Sequence, residues 1–241
     1  MTRVAVCLPT YNEAENVDLM LDAVVAVFDE NGIDGRVLVI DDASPDGTAE
    51  IVDRHAATDP RIAVLRRERK EGLGLAYRDG FRRVLDEGAE EVVQMDCDFS
   101  HDPEVIPSLL AALDEVDFVL GSRYVRGGGV VGWPLLRQAI SKGGCFYARV
   151  ILGIPVHDLT GGFKAWRADV LEYLLGRSID ARGYGFQIQM TYEAILAGHR
   201  VREVPIVFRD RVRGSSKMHF GVVTEAALMV PRLRLEARRQ R

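Results

Sequence analysis

Asp96 and Asp98, in the stretch Met95-Asp96-Cys97-Asp98-Phe99-Ser100-His101, stand one residue apart just after the apolar pair Val92-Val93. In an extended chain residues i and i+2 share a face, so where a strand ends both carboxylates can converge on one cation. Hard divalent ions such as Mg2+ or Mn2+ accept one or two carboxylates and complete their shell with water and phosphate oxygens. The pair therefore suggests a metal that bridges the protein to a phosphorylated substrate. A plainer reading of the same residues has Asp98 opening a turn, Asp102 capping a helix that begins at Pro103, and Asp96 solvated. A second group is cationic. In Arg209-Asp210-Arg211-Val212-Arg213-Gly214-Ser215-Ser216-Lys217 four cations are set among small residues. Such a loop suits phosphate, because arginine offers a planar fork of donors and lysine a point charge.

These groups need elements that bring them together. Val4 to Leu8 is an apolar run without alternation, as expected of a strand buried on both faces, and it stops at Pro9-Thr10-Tyr11-Asn12-Glu13. Asn16 to Phe28 then repeats apolar residues with helical spacing and ends near Asn31-Gly32. The same succession recurs in three more rounds. Arg36–Ile40 leads into Asp41-Asp42-Ala43-Ser44-Pro45-Asp46-Gly47-Thr48, Ile62–Leu65 into a loop through Gly72-Leu73-Gly74, and Glu91–Met95 into the two aspartates. A fifth strand is expected at Phe118–Leu120. Strand–helix alternation of this kind predicts a mainly parallel α/β sheet with helices on both faces, whose ligands bind at the carboxyl ends of the strands. The polar clusters all fall at that edge. Neither G-x-G-x-x-G after the first strand nor G-x-x-x-x-G-K-[ST] occurs, which argues against a dinucleotide oxidoreductase and a P-loop NTPase.

The second half is less regular. Gly127-Gly128-Gly129 is expected to be a mobile loop, a helix carries Arg137, Ser141 and Lys142 to about Leu152, and a strand is expected through Val204–Phe208. With 241 residues, 47% hydrophobic and 28% charged, the chain has the makeup of a soluble α/β protein. Its three cysteines lack CxxC spacing and point to neither a disulfide framework nor a zinc site. Its start reads as a strand, not a signal peptide, and its apolar runs fall short of the ~18 residues that span a bilayer, so a cytoplasmic location is expected. The net charge of −5 is uneven: residues 201–241 hold 10 basic and 4 acidic groups, leaving 21 and 32 for the rest. That end is expected to face something anionic. Phe220–Val230 is mostly apolar, is expected to be interrupted at Pro231, and is followed by Arg232, Arg234, Arg238, Arg239 and Arg241. Either a peripheral membrane contact or a helix packed on the sheet accounts for this tail. Nucleic acid would explain the tail but not the acid-rich strand ends.

Taken in order, seven stretches resemble the inverting family 2 glycosyltransferases, and within them the polyprenyl- or dolichyl-phosphate mannosyltransferases. They are Pro-Thr-Tyr-Asn-Glu at 9–13, Asp-Asp-Ala-Ser-Pro-Asp-Gly-Thr at 41–48, Gly-Leu-Gly-Leu-Ala-Tyr at 72–77, Asp-Cys-Asp-Phe-Ser-His at 96–101, Gly-Ser-Arg-Tyr at 121–124, Leu-Thr-Gly-Gly-Phe-Lys-Ala-Trp at 159–166 and the loop 209–217. The resemblance implies a GT-A fold over 1–219, with an apolar and basic helix and tail over 220–241. It implies GDP-mannose as donor, a polyprenyl monophosphate as acceptor and a divalent metal, Mg2+ or Mn2+. Transfer of another sugar, such as glucose from UDP-glucose, and a non-catalytic nucleotide-sugar-binding subunit are the alternatives. By motif, Pro9, Tyr11, Glu13, Ile40 and Asp42 line a guanosine pocket, while Asp96, Cys97 and Asp98 surround diphosphate and metal, with Ser100 a lesser ligand. Arg211 and Lys217 contact donor phosphate, and Arg123, Arg137 and Ser141 the acceptor phosphate; Asp96, Asp98 and Arg123 are the catalytic set. Cys97 replaces a common alanine and Gln189 a common glutamate. A peripheral site on the cytoplasmic face of a membrane, with a separate membrane-embedded partner, completes the expectation.

Overall fold

The computed structural model describes residues 3–177, 184–210 and 220–239, with side chains over 228–237 in the last segment. The first half runs β1 (Val4–Thr10), α1 (Val17–Asn31), β2 (Gly35–Asp41), α2 (Thr48–Ala56), β3 (Ile62–Arg66), α3 (Leu73–Asp86), β4 (Glu91–Gln94), a 3-10 turn at Pro103–Val105 and α4 (Ile106–Leu113). The second half runs β5 (Phe118–Ser122), β6 (Gly129–Val131), α5 (Leu135–Leu152), β7 (Lys164–Arg167), α6 (Ala168–Leu175), α7 (Tyr184–Leu196), β8 (Val201–Pro205), β9 (Val207–Arg209) and α8 (Phe220–Arg239). Seven strands form one sheet in the order β3-β2-β1-β4-β7-β5-β8, and β6 pairs with β9 apart from it. Only β7 runs against its neighbours in the large sheet. The mainly parallel α/β architecture expected from the alternation is present.

β1 lies between β2 and β4, so the chain order reverses there and a crevice opens at the carboxyl ends. Both faces are covered, which is why these strands are apolar without alternation. On one face Cys7, Ile40 and Trp166 of the sheet join Tyr77 and Phe81 of α3 and residues of α6 and α7; on the other Val6 and Leu8 join Met20 and Phe28 of α1 and Leu109 of α4. The buried residues of α1 (Val17, Met20, Leu21, Val24, Val27 and Phe28) follow the three-and-four spacing of one helical face. Gly32, at φ 62°, ends that helix by donating its N–H to Phe28 O.

Three expectations are corrected. Gly127–Gly129 is not simply a mobile loop, since Gly129 begins β6, which pairs in parallel with Val207 of β9. The single strand expected over 204–208 is two, because β8 pairs with β5 in the large sheet while β9 pairs with β6, and Ile206 between them is buried. Pro231 does not interrupt the C-terminal helix, which continues through it to Arg239. Val230 and Leu233 of that helix are buried in the core, and Arg234 Nη1 donates to Leu152 O at the end of α5 at 3.1 Å. The described part of the tail is thus anchored inward.

Gly80 on α3 faces the sheet so closely that a Cβ there would stand 2.3 Å from Ile40 Cδ1. Gly80→Ala is expected to destabilise the fold by about 1–3 kcal/mol through overpacking. Chemical denaturation would check this as a lowered midpoint with unchanged m.

Candidate active site

Three loops leave the sheet at the crevice, after β1, β2 and β4, and hydrogen bonds lace the first two together. Asn12 N donates to Ser44 Oγ at 3.0 Å, Glu13 N to Thr48 Oγ1 at 3.1 Å and Ala14 N to Asp46 Oδ2 at 3.0 Å. Asp41 accepts from Thr10 Oγ1, Ser44 N and Ser44 Oγ, which fixes the β2 loop under the β1 loop. Among the described residues the non-glycine positions with positive φ are Asn12, Ala43 and Phe99, one in each loop. Asparagine tolerates that region, but Ala43 and Phe99 are held in a sparsely populated conformation, which surrounding structure must impose.

The proposed nucleoside residues divide by where the strands put them. Tyr11 is half-buried with the Lys70 ammonium 3.8 Å from its ring centre, and Glu13 Oε2 accepts from Asn16 Nδ2 at 2.8 Å. Pro9 is half-buried at the end of β1. Asp42 is buried against Arg67, whose Nε also donates to Asp79 Oδ2 at 2.9 Å and Nη2 to Glu71 Oε2 at 3.1 Å. Ile40 departs from expectation: its side chain is fully buried against Gly80 on the α3 face, so it underlies the crevice instead of lining it.

At the end of β4, Asp98 is buried, and its Oδ1 accepts from Ser100 N at 3.0 Å and Ser100 Oγ at 2.5 Å. Ser100 therefore orients that carboxylate. Asp102 Oδ1 accepts from Glu104 N and caps the following turn, as the plainer reading had it, and Asp98 does hold a turn. Asp96 is about one-third exposed, and its backbone N–H donates to His101 Nδ1 at 3.0 Å. That bond makes Nδ1 an acceptor, and burial holds the imidazole below its ordinary range, so His101 is neutral. Cys97 points into the core beneath. Gly162 faces this group: a Cβ there would lie 3.6 Å from both Asp96 carboxylate oxygens and 3.3 Å from His101 Cε1.

A second cluster stands across an aromatic wall. The His101 ring lies 5.5 Å from Phe208, Phe208 lies 5.3 Å from Trp133, and the Arg137 guanidinium sits 4.0 Å over Trp133. Arg123 is also close to Trp133, Phe208 and Tyr124, and Tyr124 OH donates to Ser141 Oγ at 2.6 Å. Arg123, Arg137 and Ser141, predicted from three separate places, thus meet. Arg123 is not a solvated cation. Its Nε and Nη2 donate to Asp158 Oδ2 and Oδ1 at 2.7 and 2.6 Å, and Nη2 also reaches Thr160 Oγ1 at 2.8 Å. The guanidinium beside it holds the Asp158 carboxyl below the usual range despite complete burial. Arg137 Nη1 donates to Asp210 Oδ1 at 3.1 Å, while its Nε is buried without a hydrogen-bond partner among the described residues. Arg211 and Lys217 lie outside the described residues. Gln189, on α7, is buried.

Sequence reasoning did not single out Asp158, His101, Trp133, Phe208 or Lys164. Lys164 is fully buried at the start of β7, donating to Gln187 O at 2.9 Å and Thr191 Oγ1 at 3.0 Å. Gln94 at the end of β4 donates to Gln187 Oε1 at 2.7 Å, so this network clamps α7 to the strand that carries the two aspartates. Its sequence signal is a charged residue inside an otherwise apolar run. Burial pushes Lys164 down to about 7 from 10.5, with Asp158 opposing. The unfolded chain keeps this proton to higher pH than the fold does, so stability must rise with pH between those two values. Relative to Lys164→Met, the protein is expected to gain about 2 kcal/mol between about pH 7 and pH 9, read by denaturant unfolding.

The family model for glycosyl transferase family 2 matches residues 5–175, a span that takes in β1 and the whole acid-bearing crevice. The undecaprenyl-phosphate mannosyltransferase of Micrococcus luteus is 46% identical over 236 residues, covering 98% of this chain and 96% of that one. The polyprenol monophosphomannose synthase of Mycolicibacterium smegmatis is 44% identical over 95% of this chain and 85% of its own. Among solved structures, glucosyl-3-phosphoglycerate synthase from Mycobacterium tuberculosis, in complex with Mn2+, UDP-glucose and glycerol 3-phosphate, superposes with TM-score 0.65 at 18% identity, over 98% of this chain and 80% of that one. A mannosyltransferase from Pyrobaculum calidifontis in complex with GDP-Man and Mn2+ gives 0.62 at 19%, over 98% and 73%. The sheet and its flanking helices are therefore of the GT-A type. With the family model spanning the crevice and relatives of such identity along nearly the whole length, the chain belongs to glycosyl transferase family 2 and is a glycosyltransferase.

Proposed function

We propose that the protein transfers mannose from GDP-mannose to a polyprenyl (dolichyl) monophosphate, inverting the anomeric carbon and releasing GDP and the lipid phosphate mannose. The observation that carries this reading is the pairing of two unlike clusters along one aromatic wall. Asp96 and Asp98 stand on one side, and Arg123, Arg137 and Ser141 on the other. The two bacterial relatives, a mannosyltransferase acting on undecaprenyl phosphate and a polyprenol monophosphomannose synthase, support the sugar and the lipid.

The residues present fit a divalent metal. The donors are carboxylate oxygens, which suit Mg2+ or Mn2+, and the missing Cβ of Gly162 leaves room beside Asp96. Asp96 and Asp98 would hold the ion, with Ser100 keeping Asp98 in place. Bound there, the ion would stabilise the charge of the departing diphosphate. Tyr11, Glu13 and Asp42, with Pro9 beside them, bind the nucleoside, while Arg211 and Lys217 contact donor phosphate.

The acceptor determines what the chain need not supply. A phosphate monoester has its second pKa near 6 and is largely dianionic at neutral pH, so its oxygen is a nucleophile without a base. The work left to the protein is to bring two anions together. Arg137 offers its Nε–H, Arg123 is held rigid by Asp158, and Ser141 is oriented by Tyr124. A neutral Gln189 is consistent with this, since no proton has to be removed. The lipid acceptor places the protein peripherally at a membrane; the reading extends to its cytoplasmic face and to a separate membrane-embedded partner.

UDP-glucose is the competing donor. Supplied with radiolabelled GDP-mannose, UDP-glucose and other nucleotide sugars beside polyprenyl phosphate, the protein is expected to label the lipid from GDP-mannose at least about tenfold faster than from any other. Chelator is expected to abolish labelling. Preferential labelling from UDP-glucose would overturn the donor, and no labelled lipid at all would overturn the reaction.

A further inference from the structure

α5 carries Ser141 and Arg137 toward the acceptor cluster, yet much of its surface is apolar and uncovered. Leu135 is 82% exposed, Leu136 72%, Phe146 67% and Val150 60%, with Ile140 and Tyr147 also exposed. At 3.6 residues per turn these six side chains fall within one stripe of roughly 140°. The opposite side is formed by Cys145, Ala148 and Leu152, which are buried. Helices of globular proteins turn such a stripe inward, and a contiguous apolar surface of this kind marks an interaction site.

The charges say what covers it. Arg137, Lys142 and Arg149 are the charged residues of α5, which has no acid, in a chain whose net charge is −5. On the same helical projection Lys142 and Arg149 border one edge of the stripe and Arg137 the other. An apolar face with cations along its borders is the pattern of a helix lying in a membrane interface. Its chain then rests among the acyl groups while the cations meet anionic headgroups. A second copy fits less well, because a two-fold contact through this face would set these cations against one another. No described helix is long and apolar enough to cross a membrane, and the three cations of α5 suit a helix at the surface of one.

We propose that the outer face of α5 is a membrane-docking surface that seats the protein on an anionic bilayer. This deepens the reading of the acceptor as a membrane lipid by naming the surface its membrane meets. It also moves the contact from the C-terminal tail, whose Val230 and Leu233 face the core, to the helix that bears Arg137 and Ser141.

The test is sedimentation with phosphatidylcholine–phosphatidylglycerol vesicles that contain neither polyprenyl phosphate nor a nucleotide sugar. A wrong sugar or acceptor therefore leaves its result unchanged, and a failure here leaves the transfer reaction standing. The full chain is expected to bind these vesicles, and pure phosphatidylcholine more weakly. Combined Phe146→Ser and Val150→Ser should weaken binding by about tenfold or more. Both sites are exposed, and circular dichroism checks that the variant is folded. Lys142→Glu with Arg149→Glu, which leaves the apolar stripe intact, should abolish the preference for anionic vesicles. The proposal is overturned if the full chain does not sediment or if the serine variant binds like the original. It is equally overturned if the serine variant loses only self-association.

Discussion

β1 is hydrogen-bonded on both edges by strands running its own way, with Thr10 opposite Asp41 on one side and Cys7 opposite Gln94 on the other. Because the three strands point in one direction, the chain leaves the sheet three times along a single edge. Residues some thirty and ninety positions apart become neighbours there without any long-range side-chain contact having to draw them in. The register also decides which side chains are available. In each strand alternate residues go to opposite cores, so Ile40 is drawn under α3 while the loop beyond it, from Asp41, is turned over the crevice. A backbone constraint thus precedes every polar contact in the site.

Under the proposed function, the polar contacts answer one electrostatic problem. A donor diphosphate and an acceptor phosphate repel, and the enzyme must hold them within bonding distance. Fixed charges accomplish this more cheaply than mobile ones, because nothing has to reorganise as charge moves. Arg123 illustrates the point: two bonds to Asp158 and one to Thr160 make it a rigid part of the wall. The arrangement carries a liability, since removing either partner would strand a buried charge. Among the described residues Lys164 is the other buried cation. It lacks a direct carboxylate partner among the described residues and accordingly gives up its proton near neutrality.

Much of this could be read from the chain. The first four strands were visible because burial on both faces leaves only apolar residues, and the acids at their ends stood out against that background. What stayed hidden depends on contacts at long separation. β7 reads Lys164-Ala165-Trp166-Arg167, and nothing in those residues announces a strand inserted antiparallel between β4 and β5. The break at Ile206 between β8 and β9 is a change of sheet, not of composition. The motif around Arg123 drew attention to the cation but not to Asp158, thirty-five residues on, which fixes it. α5 is apolar on several sides, so only the packed molecule reveals which side faces out.

Everything proposed for the reaction depends on the Asp96/Asp98 end of β4 binding the donor diphosphate through a divalent ion. Titration calorimetry of GDP-mannose tests it without any acceptor, comparing the protein with its Asp98→Asn variant, each with Mn2+ and with chelator. GDP-mannose is expected to bind the unaltered protein with Mn2+, and both chelator and the substitution to weaken binding by about tenfold or more. Equal affinity under all four conditions would contradict it.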